Sequence, residues 1–233
     1  MKRGKRYKAL LNKVDKTKMY GLEEAIETLK GLQSVKFVET VEIAVKLGVD
    51  PRRYSVRGSV VLPYGTGKEK KVLVLTESKV KEAQEAGADY VGGDEYISKI
   101  EKGWLEFDYV IATPDIMRKV AKLGKILGPR GLMPSPKTGT VTDNVKEAVS
   151  QAKKGKIDFK IDKTGCIHGP VGKVNFPTEH LCENVKEFMR AILDAKPGDF
   201  KGTYIQSVHL STTMSPSVKL DLVKLMKEVH SAS

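Results

Sequence analysis

GKILGPRGLMPSPKTGTV, residues 124–141, breaks an otherwise regular succession of strand-like and helix-like segments. Between Gly128 and Gly139 glycine or proline recurs at every second or third position, which rules out both a helix and a central strand. The segment ahead of it, Asp115 to Leu127, repeats Ile116, Val120, Leu123 and Leu127 at helical spacing and reads as one amphipathic helix. Leu132 and Met133 give the stretch apolar anchors, and Arg130 and Lys137 give it charge, so it reads as an ordered loop. Its backbone amides suit an anion such as phosphate. The alternative is a rigid packed connection with incidental surface charge.

Outward from this loop the texture alternates. Lys71–Thr76 is a compact apolar run, followed by a helical stretch (Ser78–Ala86), a short strand (Asp89–Val91), a helix (Asp94–Lys102) and a strand (Tyr109–Ala112). After the loop comes a helix, Asn144–Lys154, with Thr142 or Asp143 as its cap. Strict strand–helix alternation predicts a parallel, doubly wound sheet with helices on both faces. Residues 67–159 therefore read as an inserted, Rossmann-like three-layer α/β domain.

The flanks differ. Leu22–Leu32 is a short helix, and Phe37–Leu47 alternates Val41, Ile43, Val45 and Leu47 against Thr40, Glu42, Ala44 and Lys46, as a half-buried strand does. A second strand, Val56–Leu62, ends at Pro63. Beyond the insert, Lys156–Asp162 and Cys166–Val171 read as a hairpin around Lys163-Thr164-Gly165. Pro177 and Thr178 open a helix reaching Ala195, with Leu181, Val185, Phe188 and Ile192 on one stripe. Tyr204–Thr213 is a strand running into Met214-Ser215-Pro216, and Leu220–Val229 suggests a last helix. Neither flank has enough elements for a closed core. Paired, residues 1–66 and 160–233 give one discontinuous α+β domain, a four-stranded sheet with helices on one face and the other face free. The whole chain is thus of α/β class, with a hinge expected where two linkers run side by side near residues 66 and 160.

A net charge of +12 with a pI near 9.5 favours a polyanionic partner, most simply nucleic acid, over an acidic membrane surface. Residues 1–20 carry eight basic groups (Lys2, Arg3, Lys5, Arg6, Lys8, Lys13, Lys16, Lys18) against Asp15. They read as an arm that orders on phosphates. Residues 67–159 hold 17 basic and 14 acidic groups, only +3, so the flanks should meet a polyanion first. No run approaches the ~20 apolar residues of a spanning helix, and Ala9-Leu10-Leu11 is too short for a signal-peptide core. A cytoplasmic protein with no membrane partner is expected.

Enzymatic signatures fail on inspection. Gly65-Thr66-Gly67-Lys68 lacks the first glycine of a nucleotide-binding P-loop, where Leu62 stands, and Glu69 replaces the hydroxyl that would hold Mg²⁺. The dinucleotide fingerprint fails at Lys70. Cys166 and Cys182 have no paired spacing, and His168, His180, His209 and His230 show no ligand pattern. No cofactor, metal or catalytic residue is expected. A two-domain enzyme with a nucleotide site in the insert is the competing reading.

The run GPRGLMP, residues 128–134, followed by PKTG, residues 136–139, is not low-complexity and resembles a signature of the bacterial ribosomal L-one family, the large-subunit mobile-stalk proteins. Lys36-Phe37 with Thr40 and Glu42, Leu62-Pro63 before Gly65-Thr66-Gly67-Lys68, Gly87-Ala88-Asp89, Asp162-Lys163-Thr164-Gly165 with Ile167-His168, and Thr212-Thr213-Met214 are similar to family motifs across nearly the whole chain. The resemblance implies a non-enzymatic RNA binder, monomeric when free and part of the large ribosomal subunit. It implies binding to the 23S rRNA stalk, help for tRNA leaving the exit site, and repression of its own operon through an mRNA mimic of the rRNA site. It implicates Lys36, Phe37, Thr40, Glu42, Lys46, Lys163, Thr164, Thr213, Met214 and Ser215 in the RNA contact. Ser215 departs from the family's usual glycine. Charge adds Lys2, Arg3, Lys5, Arg6, Arg130 and Lys137 as secondary contacts. Phe37 beside Lys36 suits stacking on a base with a phosphate contact, and ordinary core is the alternative for its ring.

Overall fold

The computed structural model describes residues 4–231; the side chains of Lys137, His230 and Ser231 fall outside that description. In chain order the elements are helices α1 (Lys5–Leu11) and α2 (Leu22–Gly31), strands β1 (Thr40–Leu47), β2 (Arg57–Val61) and β3 (Val72–Leu75), and helix α3 (Val80–Glu85). Then come β4 (Tyr90–Gly92), α4 (Asp94–Glu101), β5 (Tyr109–Ala112), α5 (Met117–Val120), α6 (Gly124–Leu127) and α7 (Val145–Lys153). The chain closes with β6 (Lys156–Lys160), β7 (Cys166–Lys173), α8 (Thr178–Asp194), β8 (Ile205–Thr212), β9 (Val218–Lys219) and α9 (Leu222–Ser231). Two compact units result: the chain up to Gly67 with the chain from Ile157 onward, and Lys68–Lys156.

The discontinuous unit is built on an antiparallel sheet in the order β7-β1-β8-β9. Alternation puts Val41, Ile43, Val45 and Leu47 of β1, Ile167 and Val171 of β7, and Val208 and Leu210 of β8 in one core with α2 and α8. Leu181, Val185, Phe188 and Ile192 of α8 are fully buried there. At roughly 1.5–3 kcal/mol each, this stripe contributes on the order of 6–12 kcal/mol before entropy is subtracted. The Phe188 ring lies so close to Gly169 that a Cβ there would meet it at 2.6 Å, so glycine is required for the helix to seat.

Five expectations are corrected here. The basic arm is partly helical in its own right: α1 forms, and Leu10 and Val14 join the core. Apolar Leu10, Leu11 and Val14 recur at helical spacing within the charge, and burial of that stripe offsets the entropy of ordering. The hairpin does not form as a ladder. β6 pairs with β2 in a separate two-stranded sheet while β7 pairs with β1. The turn survives, with Asp162 N donating to Cys166 O at 2.8 Å and Gly165 at φ 80°. Beyond it β6 diverges to bury Ile157 and Phe159, whose ring lies 5.7 Å from that of Phe188. The sheet gains its fourth strand from β9, a two-residue element with no periodicity to read, so Val56–Leu62 does not belong to it. The last helix starts at Leu222 because Asp221 Oδ1 accepts from Val223 N at 2.9 Å. With β6 in this unit, the second crossing falls before Ile157 rather than at 160.

The other unit holds a parallel sheet in the order β4-β3-β5. β3 sends Leu73 and Leu75 to a core shared with α4 and the 116–127 segment, and Val72 and Val74 to a second core with α3 and α7. Both faces are covered, which is why β3 and β5 are apolar throughout. The helix read as Asp115–Leu127 is instead two short α-helical pieces, α5 and α6, joined by a 3₁₀ turn at Ala121–Leu123 and preceded by another at Pro114–Ile116. Its stripe of Ile116, Val120, Leu123 and Leu127 is nevertheless fully buried. The cap of α7 is Asn144, whose side chain accepts from Glu147 N, and Thr142 instead accepts from Asn144 N at 3.1 Å. The glycine–proline loop is ordered by Leu132 N donating to Leu127 O (3.0 Å) and by the Thr140 hydroxyl accepting from Ser135 N (2.7 Å). Leu132 and Met133 pack on the core.

Candidate RNA interface

The chain enters β1 through an exposed segment, Lys36–Val38, and then turns Glu39 inward. That carboxylate is 1% exposed, among the most buried charged groups described. Its Oε1 accepts from Met214 N at 2.8 Å and from the Thr212 hydroxyl at 3.2 Å. Thr40 N donates to Thr213 Oγ1 at 3.2 Å, and Lys173 Nζ donates to Thr40 Oγ1 at 2.8 Å. Ser215 Oγ accepts from Thr212 N (3.0 Å) and donates to Pro216 O (3.0 Å), closing the turn after β8. Serine sits there without strain, since no described non-glycine residue has positive φ. Two remote segments, 36–40 and 212–215, are thereby held as one surface.

That surface brings three exposed large apolar side chains together. Phe37 is 50% exposed, Val38 46% and Met214 40%, with Lys36 exposed beside them. Phe37 belongs to none of the three cores, so ordinary packing does not account for its ring. A planar aromatic, a flexible thioether and an ammonium group suit stacking on bases with a phosphate alongside.

Lys46, Lys163 and Thr164 are not part of this group. They lie at the far end of β1, about 20 Å along the strand from Thr40 at 3.4 Å per residue. There Lys46 Nζ donates to the Thr164 carbonyl. Glu42 lies between the two groups, exposed, opposite Ser211 and Pro170. The ten expected contacts thus form two clusters and a bridge along the outer sheet face. His209 lies on that face under α1, near Tyr7, Leu11 and Lys219, and burial first, then the Lys219 charge, holds its pKa below the ordinary 6.5. Lys5 and Arg6 are exposed on α1, with Arg6 Nη1 donating to Ser34 Oγ at 3.2 Å. Lys2 and Arg3, like the side chain of Lys137, lie outside the described residues. Arg130 is exposed in the other unit.

Sequence reasoning missed Glu39, Val38 and Lys173. Glu39 did leave a signal: it shares the inward parity of Val41, Ile43, Val45 and Leu47, where a charge must be satisfied internally. The Gly65-Thr66-Gly67-Lys68 run is spent on structure. Gly65 O accepts from Asn184 Nδ2 at 3.0 Å, a Cβ on Gly67 would meet Lys173 and Phe176, and Lys68 pairs with Asp108 at 2.6 Å.

The model of the ribosomal protein L1p/L10e family matches residues 27–216 of this chain, spanning both the 36–40 segment and the 212–215 turn. The chain belongs to the ribosomal protein L1p/L10e family. It is 56% identical to the large ribosomal subunit protein uL1 of Persephonella marina, covering 98% of each chain. It is 54% identical to the uL1 protein of Thermus thermophilus (94% of this chain, 98% of that one) and 53% identical to that of Chlorobium chlorochromatii (96% and 99%). Family membership makes this a ribosomal protein and not an enzyme, and it removes the nucleotide-dependent enzyme as a description. The α/β class read from the sequence is that of the fold observed.

Proposed function

We propose that this chain, a constituent of the large subunit of the cytoplasmic ribosome, binds 23S rRNA at the mobile stalk through its discontinuous unit. The observation that carries this reading is the exposed group Lys36, Phe37, Val38 and Met214, held in place by the buried Glu39 carboxylate. Apolar groups left in water on a pre-ordered frame are the counterpart of unstacked bases, and the frame lowers the entropy lost on binding. Lys46, Lys163 and Thr164 take phosphates further along the sheet, and Lys5 and Arg6 extend the positive surface. The two units act as separate domains with a hinge at their two connections. That mobility serves the release of exit-site tRNA. The same surface binds an operon mRNA that imitates the stalk, so rRNA and mRNA compete for it and free protein represses its own synthesis. As a free protein the chain is a monomer.

Competition binding of a stalk rRNA fragment against unrelated RNA, across a salt series, tests this. Specific affinity should fall linearly in log–log form, with a slope of about −0.9 for each duplex phosphate contacted. Phe37→Ala should lower specific affinity by roughly 1–3 kcal/mol if the ring stacks on a base, with an unchanged melting temperature and an unchanged salt slope. Equal affinity for the fragment and for unrelated RNA, or a Phe37→Ala variant that binds like the parent, overturns the proposal.

A further inference from the structure

The turn after β6 gathers three side chains of metal-binding type that sequence spacing gives no reason to group. Asp162, Cys166 and His168 each offer one ligand atom, and all three atoms lie within 4.8 Å of one another. Asp162 Oδ2 and His168 Nε2 are 3.8 Å apart. Around a tetrahedral ion with bonds of about 2.0–2.3 Å, ligand atoms sit about 3.3–3.8 Å apart. The Asp–His pair already has that separation. Rotation of Cys166 and of the exposed His168 about their own torsions closes the rest.

The carboxylate is oriented before any ion arrives. Its Oδ1 accepts from Thr164 N and Cys166 N, both at 2.8 Å, and the Thr164 hydroxyl bonds Oδ1 at 2.7 Å and Oδ2 at 2.8 Å. Supporting bonds of this sort fix a ligand's direction and raise metal affinity. The backbone contributes as well, because His168 and Cys166 are two apart in β7 and share the outer face. Lys46, opposite Cys166 in register, places its ammonium on the Thr164 carbonyl and leaves Oδ2 facing His168.

We propose that Asp162, Cys166 and His168 form a three-ligand site for a divalent ion of borderline softness, Zn²⁺ above all, with its fourth position open to water. One carboxylate oxygen, one thiolate and one imidazole nitrogen select zinc over magnesium and calcium, which need oxygen donors. Cys166 binds as the thiolate and releases its proton to solvent. The site does not depend on the RNA-binding role.

The test is titration of the tag-free, reduced full-length chain with Co²⁺, followed by back-titration with Zn²⁺. One equivalent of Co²⁺ should give a near-ultraviolet thiolate-to-cobalt charge-transfer band and visible bands of tetrahedral intensity, all discharged by zinc. Cys166→Ser should abolish the charge-transfer band, whereas Cys182→Ser, at a thiol buried under α2 and α9 packing, should leave it intact. His168→Gln, on an exposed side chain, should keep the parent melting temperature and lower Co²⁺ affinity at least tenfold. Thr164→Ala should lower it about 10–100-fold through the freed carboxylate, with recovery in Thr164→Ser. Absence of the charge-transfer band, its survival in Cys166→Ser, its loss in Cys182→Ser, or an unchanged affinity in His168→Gln overturns the site.

Discussion

Glu39→Gln asks whether a buried carboxylate organises the exposed surface. The glutamine keeps an acceptor where Oε1 stood but removes the charge. Both bonds, to Met214 N and to the Thr212 hydroxyl, are charge-assisted in the parent. Hydrogen bonds to charged groups are worth about 1.5–3 kcal/mol and neutral ones about 0.5–1.5, so the two together should lose about 2 kcal/mol. For a unit of this size that lowers the melting temperature by about 4–8 °C. At 25 °C the variant remains folded, so any change in RNA affinity reports the surface and not unfolding. Freed from its clamp, the 212–215 turn must be ordered by the RNA itself, and stalk affinity should fall about tenfold, the equivalent of 1.4 kcal/mol. Differential scanning calorimetry and a fluorescence-anisotropy competition assay measure the two quantities on one preparation. Unchanged stability would show that the carboxylate does not hold the turn. Lowered stability with unchanged affinity would show that the turn does not meet the RNA.

Asn184, fully buried on α8, accepts from Tyr64 N and donates to Gly65 O and Val171 O, tying the end of the first segment to the sheet. Asn184→Ala should cost about 3 kcal/mol, three bonds at about 1 kcal/mol each, and a chemical-denaturation loss below about 1 kcal/mol would refute the assignment. His209 titrates below its ordinary 6.5 because burial disfavours the charged form. A depressed histidine stabilises fully above its unfolded-state pKa and loses that contribution as pH falls through the folded-state value. As pH falls below 6.5 the parent should therefore lose stability more steeply than His209→Gln, and parallel stability–pH curves would contradict this.

The insert was legible because each of its elements carries its own period. Leu73 and Leu75 against Val72 and Val74 make a strand buried on both faces, and such a strand needs helices on both sides. The stripe of α8 was legible for the same reason. Strand pairing in the discontinuous unit was not. Alternation reports which residues face inward and is silent on the partner. The turn at Lys163-Thr164-Gly165 suggests β6 against β7, yet β6 pairs with β2 and Phe159 is buried beside Phe188. β9 is too short to show a period at all, and the first residues looked unstructured because charge hid Leu10 and Val14. Within the candidate interface, Lys36, Phe37 and Met214 were reachable from the motifs that resemble the family's. The distance separating them from Lys46 and Lys163 was not, because spacing along β1 acquires meaning only once Thr40 is known to begin the strand. Glu39 is visible in the sequence as a parity violation, a charge at an inward position of the alternation. Asp162, Cys166 and His168 come together through one turn whose closure depends on Gly165, information that resides in backbone geometry.

The central claim, that RNA recognition resides in the discontinuous unit, is tested most directly by removing the other one. Replacing Lys68–Lys156 with a short Gly-Ser linker from Gly67 to Ile157 leaves 144 of the 233 residues, retaining the β7-β1-β8-β9 sheet, α2, α8 and all of the Glu39 network. Loop closure costs little across such a change in length, and β2 pairing with β6 holds the two junctions within one unit. The excised unit carries 17 basic and 13 acidic groups, +4, so +8 of the charge stays. In competition against unrelated RNA, the shortened protein should bind the stalk fragment with the specificity of the whole chain, and the excised unit should bind it weakly. A shortened protein shown by calorimetry to be folded, yet unable to prefer the stalk fragment, would contradict the claim and move recognition to the unit that carries Arg130.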